Sequence, residues 1–189
     1  VARNHEAEPH GSARMKSGII ILAELRGAVR EQVLEIQRRY DPKLAAAAAP
    51  HVTITGSSGM GPISTRTSEA RLREALEPIA RETAPMQLVC RKPMRFMQTH
   101  IVVLPLDPNG PMRALHERIK RSGLVFERER FTFTPHITLN FFRELSPAEH
   151  RALLAVRVTD PITIDNLSAH RTVSITDSKQ IIKLGLTGT

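Results

Sequence analysis

One short pattern, written twice, constrains this chain of 189 residues more than any other feature. Pro50-His51-Val52-Thr53-Ile54 and Pro135-His136-Ile137-Thr138-Leu139 carry proline, histidine, threonine and two apolar residues in the same order, about half a chain apart. Alternation of polar and apolar residues marks a strand with one wet and one dry face, because successive side chains point to opposite sides. His51 with Thr53, and His136 with Thr138, are therefore expected to face one way, while Val52, Ile54, Ile137 and Leu139 enter a core. A third triplet, His170-Arg171-Thr172, lacks the proline and sets an arginine between the polar pair. With 8 histidines in the chain, a lone triplet arises by chance. His170 is accordingly read as a decoy and, with His100, His116 and His150, as surface or structural.

The elements around the two copies recur in a similar order. An isoleucine-rich run at 18–25 has the length of a buried strand. Val29, Val33, Leu34 and Ile36 lie near helical spacing over 27–40, and Asp41-Pro42 stops that helix. After the strand at 51–55 comes a glycine-rich loop at 56–62, then a helix over 68–83 capped by Ser68, with Leu72, Ala75, Leu76 and Ile79 on one face. Residues 86–90 and 96–106 read as a hairpin joined by the basic stretch 91–95. A helix over 108–122, closed by Gly123, leads to the second motif strand at 136–139. Ser146-Pro147-Ala148-Glu149 opens another helix, and strands at 162–167, 172–176 and 181–186 close the chain. This order predicts an α+β protein of two similar lobes, with residues 15–189 forming one domain. Residues 1–14 show no periodicity and read as a polar tail, or as residues added upstream of a start at Met15.

Composition narrows the class of function. Lys and Arg number 27 against 19 Asp and Glu, a net charge of +8 and a pI near 10.5, which favours anionic partners, nucleic acid first among them. The single cysteine, Cys90, excludes an internal disulfide framework and any multi-cysteine zinc site, and it fits a reducing cytoplasm. No apolar run approaches the ~18 residues of a membrane helix, so no membrane association is expected. Aromatic residues make up only 4% of the chain, which disfavours an extended stacking platform for single strands. Two readings compete with a catalytic role for His51 and His136. They could be satisfied core histidines, or metal ligands, although neither motif has an adjacent Asp or Glu.

The paired His-apolar-Thr-apolar motifs resemble the two-histidine phosphoesterase superfamily, and within it the 2′-5′ RNA ligase and 2′,3′-cyclic phosphodiesterase group. The likeness covers most of 18–186. It implies a two-lobed, pseudo-twofold-symmetric α+β fold, with antiparallel sheets flanked by helices around a central cleft lined by His51, Thr53, His136 and Thr138. It also implies metal-independent and cofactor-free hydrolysis of 2′,3′-cyclic phosphates on RNA ends or small nucleotides, by a monomer, with weak ligation forming 2′-5′ linkages. By the same analogy His51 is the proton donor and His136 the acceptor. Imidazole suits both tasks because its usual pKa of ~6.5 lies close to working pH. The threonine hydroxyls would donate hydrogen bonds to the non-bridging phosphate oxygens.

The chain departs from the family pattern in two places. Members often carry an arginine a few residues beyond the second histidine, where this chain has Phe141. Arg130 and Arg143 are the candidate replacements as phosphate donors, and Phe142, beside Phe141, is a candidate for stacking on a base against the alternative of core packing. After the first motif, Thr55-Gly56-Ser57-Ser58-Gly59-Met60-Gly61 replaces the usual apolar-Leu-Gly-Glu run. That loop reads either as a backbone cradle for phosphate or as a plain turn. Two other functions stay open: a non-catalytic RNA-binding module, and a phosphoesterase for a non-RNA cyclic phosphate or a 2′-5′ oligonucleotide.

Overall fold

Strand β1 (Gly18–Glu24) is the seam of the first lobe, with Ile19, Ile21 and Ala23 fully buried. It pairs antiparallel with β2 (His51–Thr55) on one side and with β8 (Asn166–Ser174) on the other, and β8 pairs with β9 (Asp177–Gly185), giving the order β2-β1-β8-β9. In the second lobe β5 (Val102–Pro105) lies between β4 (Met94–Arg95) and β6 (His136–Asn140), and β3 (Met86–Leu88) pairs separately with β7 (Ile162–Ile164). The helices are α1 (Gly27–Tyr40), α2 (Pro42–Ala47), α3 (Glu69–Glu82), α4 (Gly110–Lys120) and α5 (Pro147–Ala155). This computed structural model describes residues 17–56, 58–96 and 99–189, so the segment read as a polar tail, 1–14, lies outside the described residues.

The two motif strands are built alike, bond for bond. Leu25 N–H donates to the Pro50 carbonyl at 2.9 Å, and Leu106 N–H donates to the Pro135 carbonyl at 2.9 Å. The register then sets Glu24 opposite His51 and Pro105 opposite His136. Each partner strand breaks register once, between Ile21 and Leu22 and between Val102 and Val103. A bulge takes a backbone N–H out of the ladder, and a buried N–H needs another acceptor. The fourth residue after each histidine supplies it: Thr55 Oγ1 accepts from Ile21 N–H at 3.0 Å, and Asn140 Oδ1 accepts from Val102 N–H at 2.9 Å.

Three expectations change on inspection of the fold. The segments at 86–90 and 96–106 do not pair with each other. β3 crosses to β7, while the hairpin is the tighter β4–β5 pair, closed by Phe96 N–H donating to the Ile101 carbonyl at 2.8 Å. Asp41-Pro42 does not simply stop a helix. It ends α1 and starts α2, because proline fits a first helical turn and the Asp41 side chain caps it. Finally, the first closing strand is shorter than expected and the last two are longer, so the triplet beginning at His170 lies inside β8, paired on both sides.

Asp41 ties these pieces together from a position only 1% exposed. Its Oδ1 accepts from Leu44 N–H at 3.1 Å, and its Oδ2 accepts from the N–H groups of Phe141 and Phe142, both at 2.7 Å. Asp41→Ala removes a cap and strands two backbone donors, so it is expected to cost about 2–4 kcal/mol in denaturant unfolding. A loss below about 1 kcal/mol would contradict this account.

His116 is a second buried polar group, 1% exposed on α4, with its ring 4.0 Å from that of Phe133. A Cβ at Gly59, which has φ +71°, would lie 2.3 Å from its Nε2, so only glycine fits there. Neither ring nitrogen has a hydrogen-bond partner, and the Glu117 carboxylate stands 3.6 Å from Nδ1. Burial pushes the pKa of this ring below the usual 6.5. The unfolded chain therefore takes up the proton first, and stability is full above about pH 6.5 and lost as pH falls below it. Thermal unfolding should show Tm falling between about pH 7.5 and 5, with a shallower fall in His116→Leu. An equal slope in that variant would assign the loss to other groups.

Candidate active site

The burial pattern of β2 and of β6 is the same: histidine and threonine half-buried, alternating with apolar residues that are fully buried. The two strands lie against each other, and His51, Thr53, His136 and Thr138 line one cleft of about 310 Å³. His51 Nδ1 lies 2.8 Å from the Ala49 carbonyl, and His136 Nδ1 lies 2.7 Å from the Thr134 carbonyl. A carbonyl only accepts, so Nδ1 carries the hydrogen in each ring and Nε2 is the atom left to exchange a proton. Phe96 packs its ring 4.6 Å from that of His136.

The surroundings treat the two imidazoles unequally. Burial pushes the His51 pKa below the usual 6.5, opposed by the Ala49 carbonyl and by the negative charge of Glu24. Burial likewise lowers His136, opposed by the Thr134 carbonyl, but here the neighbouring charge is His51, which lowers it further. Two imidazoles with interacting charges at one cleft, flanked by two hydroxyls, are equipped for acid–base work on an anionic centre.

Of the other residues proposed from the sequence, Arg130 lines the cleft. Phe142 and Arg143 are not among its lining residues. Asp41 turns the chain after β6, so that Phe141 faces the cleft instead, with Phe142 at 5.2 Å behind it and Lys43 Nζ 4.4 Å over the Phe142 ring. Arg143 bonds Glu149 at 2.6 Å and the Tyr40 carbonyl at 3.5 Å. The glycine-rich loop contributes Gly56 and Ser58 to the cleft; Gly56 N–H donates to the Met60 carbonyl at 3.1 Å across it, and Gly59 N–H ties it to the Phe131 carbonyl at 2.7 Å.

His170 is the main correction. It lines the same cleft, because β8 runs beside β1 and sets His170 opposite Ile20, on the face that also carries Leu22 and Glu24. His100 is structural, with Nε2 bonded to the Phe141 carbonyl at 2.8 Å. Glu24, Phe96 and Phe131 also line the cleft and had no mark in the sequence. Only the register of β1 against β2 could have pointed to Glu24. Among the described residues no group of three or more His, Cys, Asp or Glu could hold a metal ion. Burial pushes the Cys90 thiol up to about 11, which leaves little thiolate at neutral pH.

Comparison with known proteins places this geometry. Residues 25–171 match the family described as the 2′-5′ RNA ligase superfamily. The chain is 31% identical over 138 residues to a Geobacillus kaustophilus (strain HTA426) protein named "Putative phosphoesterase GK0864", a match spanning 72% of this chain and 73% of the relative. Among solved structures, E. coli LigT complexed with phosphate superposes with a TM-score of 0.58 at 14% identity, covering 92% of this chain and 99% of LigT. TT0787 of Thermus thermophilus superposes with a TM-score of 0.56 at 14% identity, over 90% of this chain and 98% of TT0787. The two structures share the fold, mixed helices and antiparallel sheets. The family match covers well over half of the chain: this protein belongs to the 2′-5′ RNA ligase superfamily, the two-histidine phosphoesterases, enzymes acting on phosphodiester bonds.

Proposed function

We propose that the protein hydrolyses 2′,3′-cyclic phosphates on RNA ends or small nucleotides, in the cytoplasm and without a metal ion. The observation that carries this reading is the matched pair of imidazoles, each fixed through Nδ1 to a backbone carbonyl with a threonine two residues on, at one cleft. Water attacks phosphorus opposite the departing ribose oxygen. His136 Nε2 takes the proton of that water as the new P–O bond forms. The old P–O bond breaks, and the proton on His51 Nε2 passes to the leaving alkoxide. Thr53 and Thr138 donate hydrogen bonds to the non-bridging oxygens, where charge builds up. Arg130 at the cleft adds positive charge for the nucleotide, and Phe141 offers a ring to a base. That LigT has been crystallised with phosphate and with 3′-AMP supports a nucleotide phosphate as the occupant. With the 5′-hydroxyl of a second strand in place of water, the same step in the same direction joins that oxygen to phosphorus as the P–O3′ bond breaks, leaving a 2′-5′ linkage, the weak ligation expected of the group.

The deciding experiment incubates the purified protein with 2′,3′-cyclic nucleotides and with oligonucleotides ending in a cyclic phosphate, and identifies the products. His51→Ala and His136→Ala should each lower kcat/KM by about 10²–10⁴-fold while circular dichroism shows an intact fold. A substrate with a good leaving group should partly rescue His51→Ala alone, since its departing oxygen needs no proton. Rescue of His136→Ala instead would reverse the two roles. No turnover on any substrate, with tight and salt-sensitive RNA binding, would make the protein a binding module. Turnover confined to a non-RNA cyclic phosphate or a 2′-5′ oligonucleotide would move the substrate class.

Activity should survive exhaustive chelation, whereas loss with EDTA and recovery with a divalent ion would overturn the mechanism.

The pH dependence of kcat/KM should be bell-shaped, because one imidazole must be charged and the other neutral. Both are held below 6.5, so both limbs should fall on the acid side of that value. The limbs belong to the pair until single variants separate them.

A further inference from the structure

The two motifs are copies in their backbone bonds, yet one position across the strand pair differs in kind. Opposite His136 stands Pro105, which carries no charge, and opposite His51 stands Glu24. Glu24 is held firmly in place. Its N–H donates to Asn166 Oδ1 at 3.1 Å and its carbonyl accepts from Asn166 Nδ2 at 2.9 Å, with Asn166 fully buried. Its carboxylate pairs with Lys183 through Oε2, and its Oε1 lies 4.0 Å from His170 Nε2. His170 Nε2 is buried and has no hydrogen-bond partner.

We infer that Glu24 is the positioning residue for the acid: from across the strand pair it keeps the proton on His51, and Lys183 and His170 set how much of its charge reaches that ring. This rests on the reading of His51 as the acid.

The charged and titratable groups around the His51 ring come from each strand packed against it. They are Glu24 on β1, His170 on β8, Lys183 on β9 through its pair with Glu24, and His136 on β6, with Arg130 lining the same cleft. Glu24 is the one carboxylate among these. It acts on His51 and His170 together, and each of those rings, once charged, disfavours a proton on the other. A proton is therefore shared out by a single carboxylate between a reacting imidazole and a spectator. His136 gets no such help, which fits a group that must be neutral to take a proton from water.

The test is an NMR titration of the histidine rings of the full, substrate-free chain, with the His51 signal assigned from its loss in His51→Ala, alongside pH profiles of kcat/KM. Glu24→Gln keeps the shape and removes the charge, and should lower the His51 midpoint by about 0.5–1 pH unit. The alkaline limb should fall with it, and kcat/KM at about pH 7 should drop about 3–10-fold, in proportion to the protonated fraction. Lys183→Met should move the midpoint and the alkaline limb the opposite way, a reversal that a general loosening of the sheet would not produce. A His51 midpoint unmoved in both variants overturns the inference, whatever the enzyme turns over, because the titration needs no substrate. Midpoints that move while the alkaline limb stays put overturn both the acid role of His51 and the place of Glu24 in the reaction.

Discussion

The site depends on one short bond made twice, from a histidine Nδ1–H to the carbonyl two residues back. An imidazole on a strand can rotate about two bonds and present either nitrogen. Tying Nδ1 to the local backbone removes that choice within three residues, without help from the rest of the fold. The preceding proline makes the arrangement safe. Both β2 and β6 are edge strands of their sheets, where unpaired backbone donors are a hazard, and a proline just before the strand has no donor to leave open. Its carbonyl is used, accepting from Leu25 in one lobe and from Leu106 in the other. The cleft is thus the meeting of two protected sheet edges.

Much of this was legible in the chain because the signals are local. The alternation in Val52, Thr53 and Ile54, and its copy at Ile137, Thr138 and Leu139, fixes which way each histidine points once a strand exists. The buried face of α3 follows its spacing, with Leu72, Ala75, Leu76 and Ile79 as expected. What could not be read is long-range pairing. That β3 finds β7, 76 residues away at Gln87 and Thr163, leaves no mark at either strand. Glu24 and His170 become cleft residues only through the register of β1 with its two neighbours. Sequence proximity misled in the other direction at Arg143, three residues past β6, because a buried carboxylate far upstream bends the chain there and the guanidinium goes to Glu149.

Duplication and difference have separate physical roles in this molecule. The repeated parts are backbone geometry: proline carbonyl, register break, and the Thr55 or Asn140 acceptor that fills it. These fix where two rings stand. The parts that differ are charges and rings set around that frame, Phe96 against one imidazole and Glu24 across from the other. A symmetric pair of bases would hold a proton equally well on either side. Chemistry that takes a proton at one end of a phosphate and gives one at the other needs the pair to be unequal.

The end of α1 also has a bearing on how anything enters the cleft. This helix follows β1 directly, in the first lobe, yet Gln37 Nε2 donates to the Thr138 carbonyl at 2.8 Å, and Asp41 a turn later grips the chain just past β6. Spreading the lobes along that line would break three hydrogen bonds at once, two of them to a buried carboxylate. The cleft behaves as a gauge of fixed bite rather than a jaw. Whatever enters must fit the spacing that these three bonds set between the two motif strands, because the fold offers no slack there to widen it.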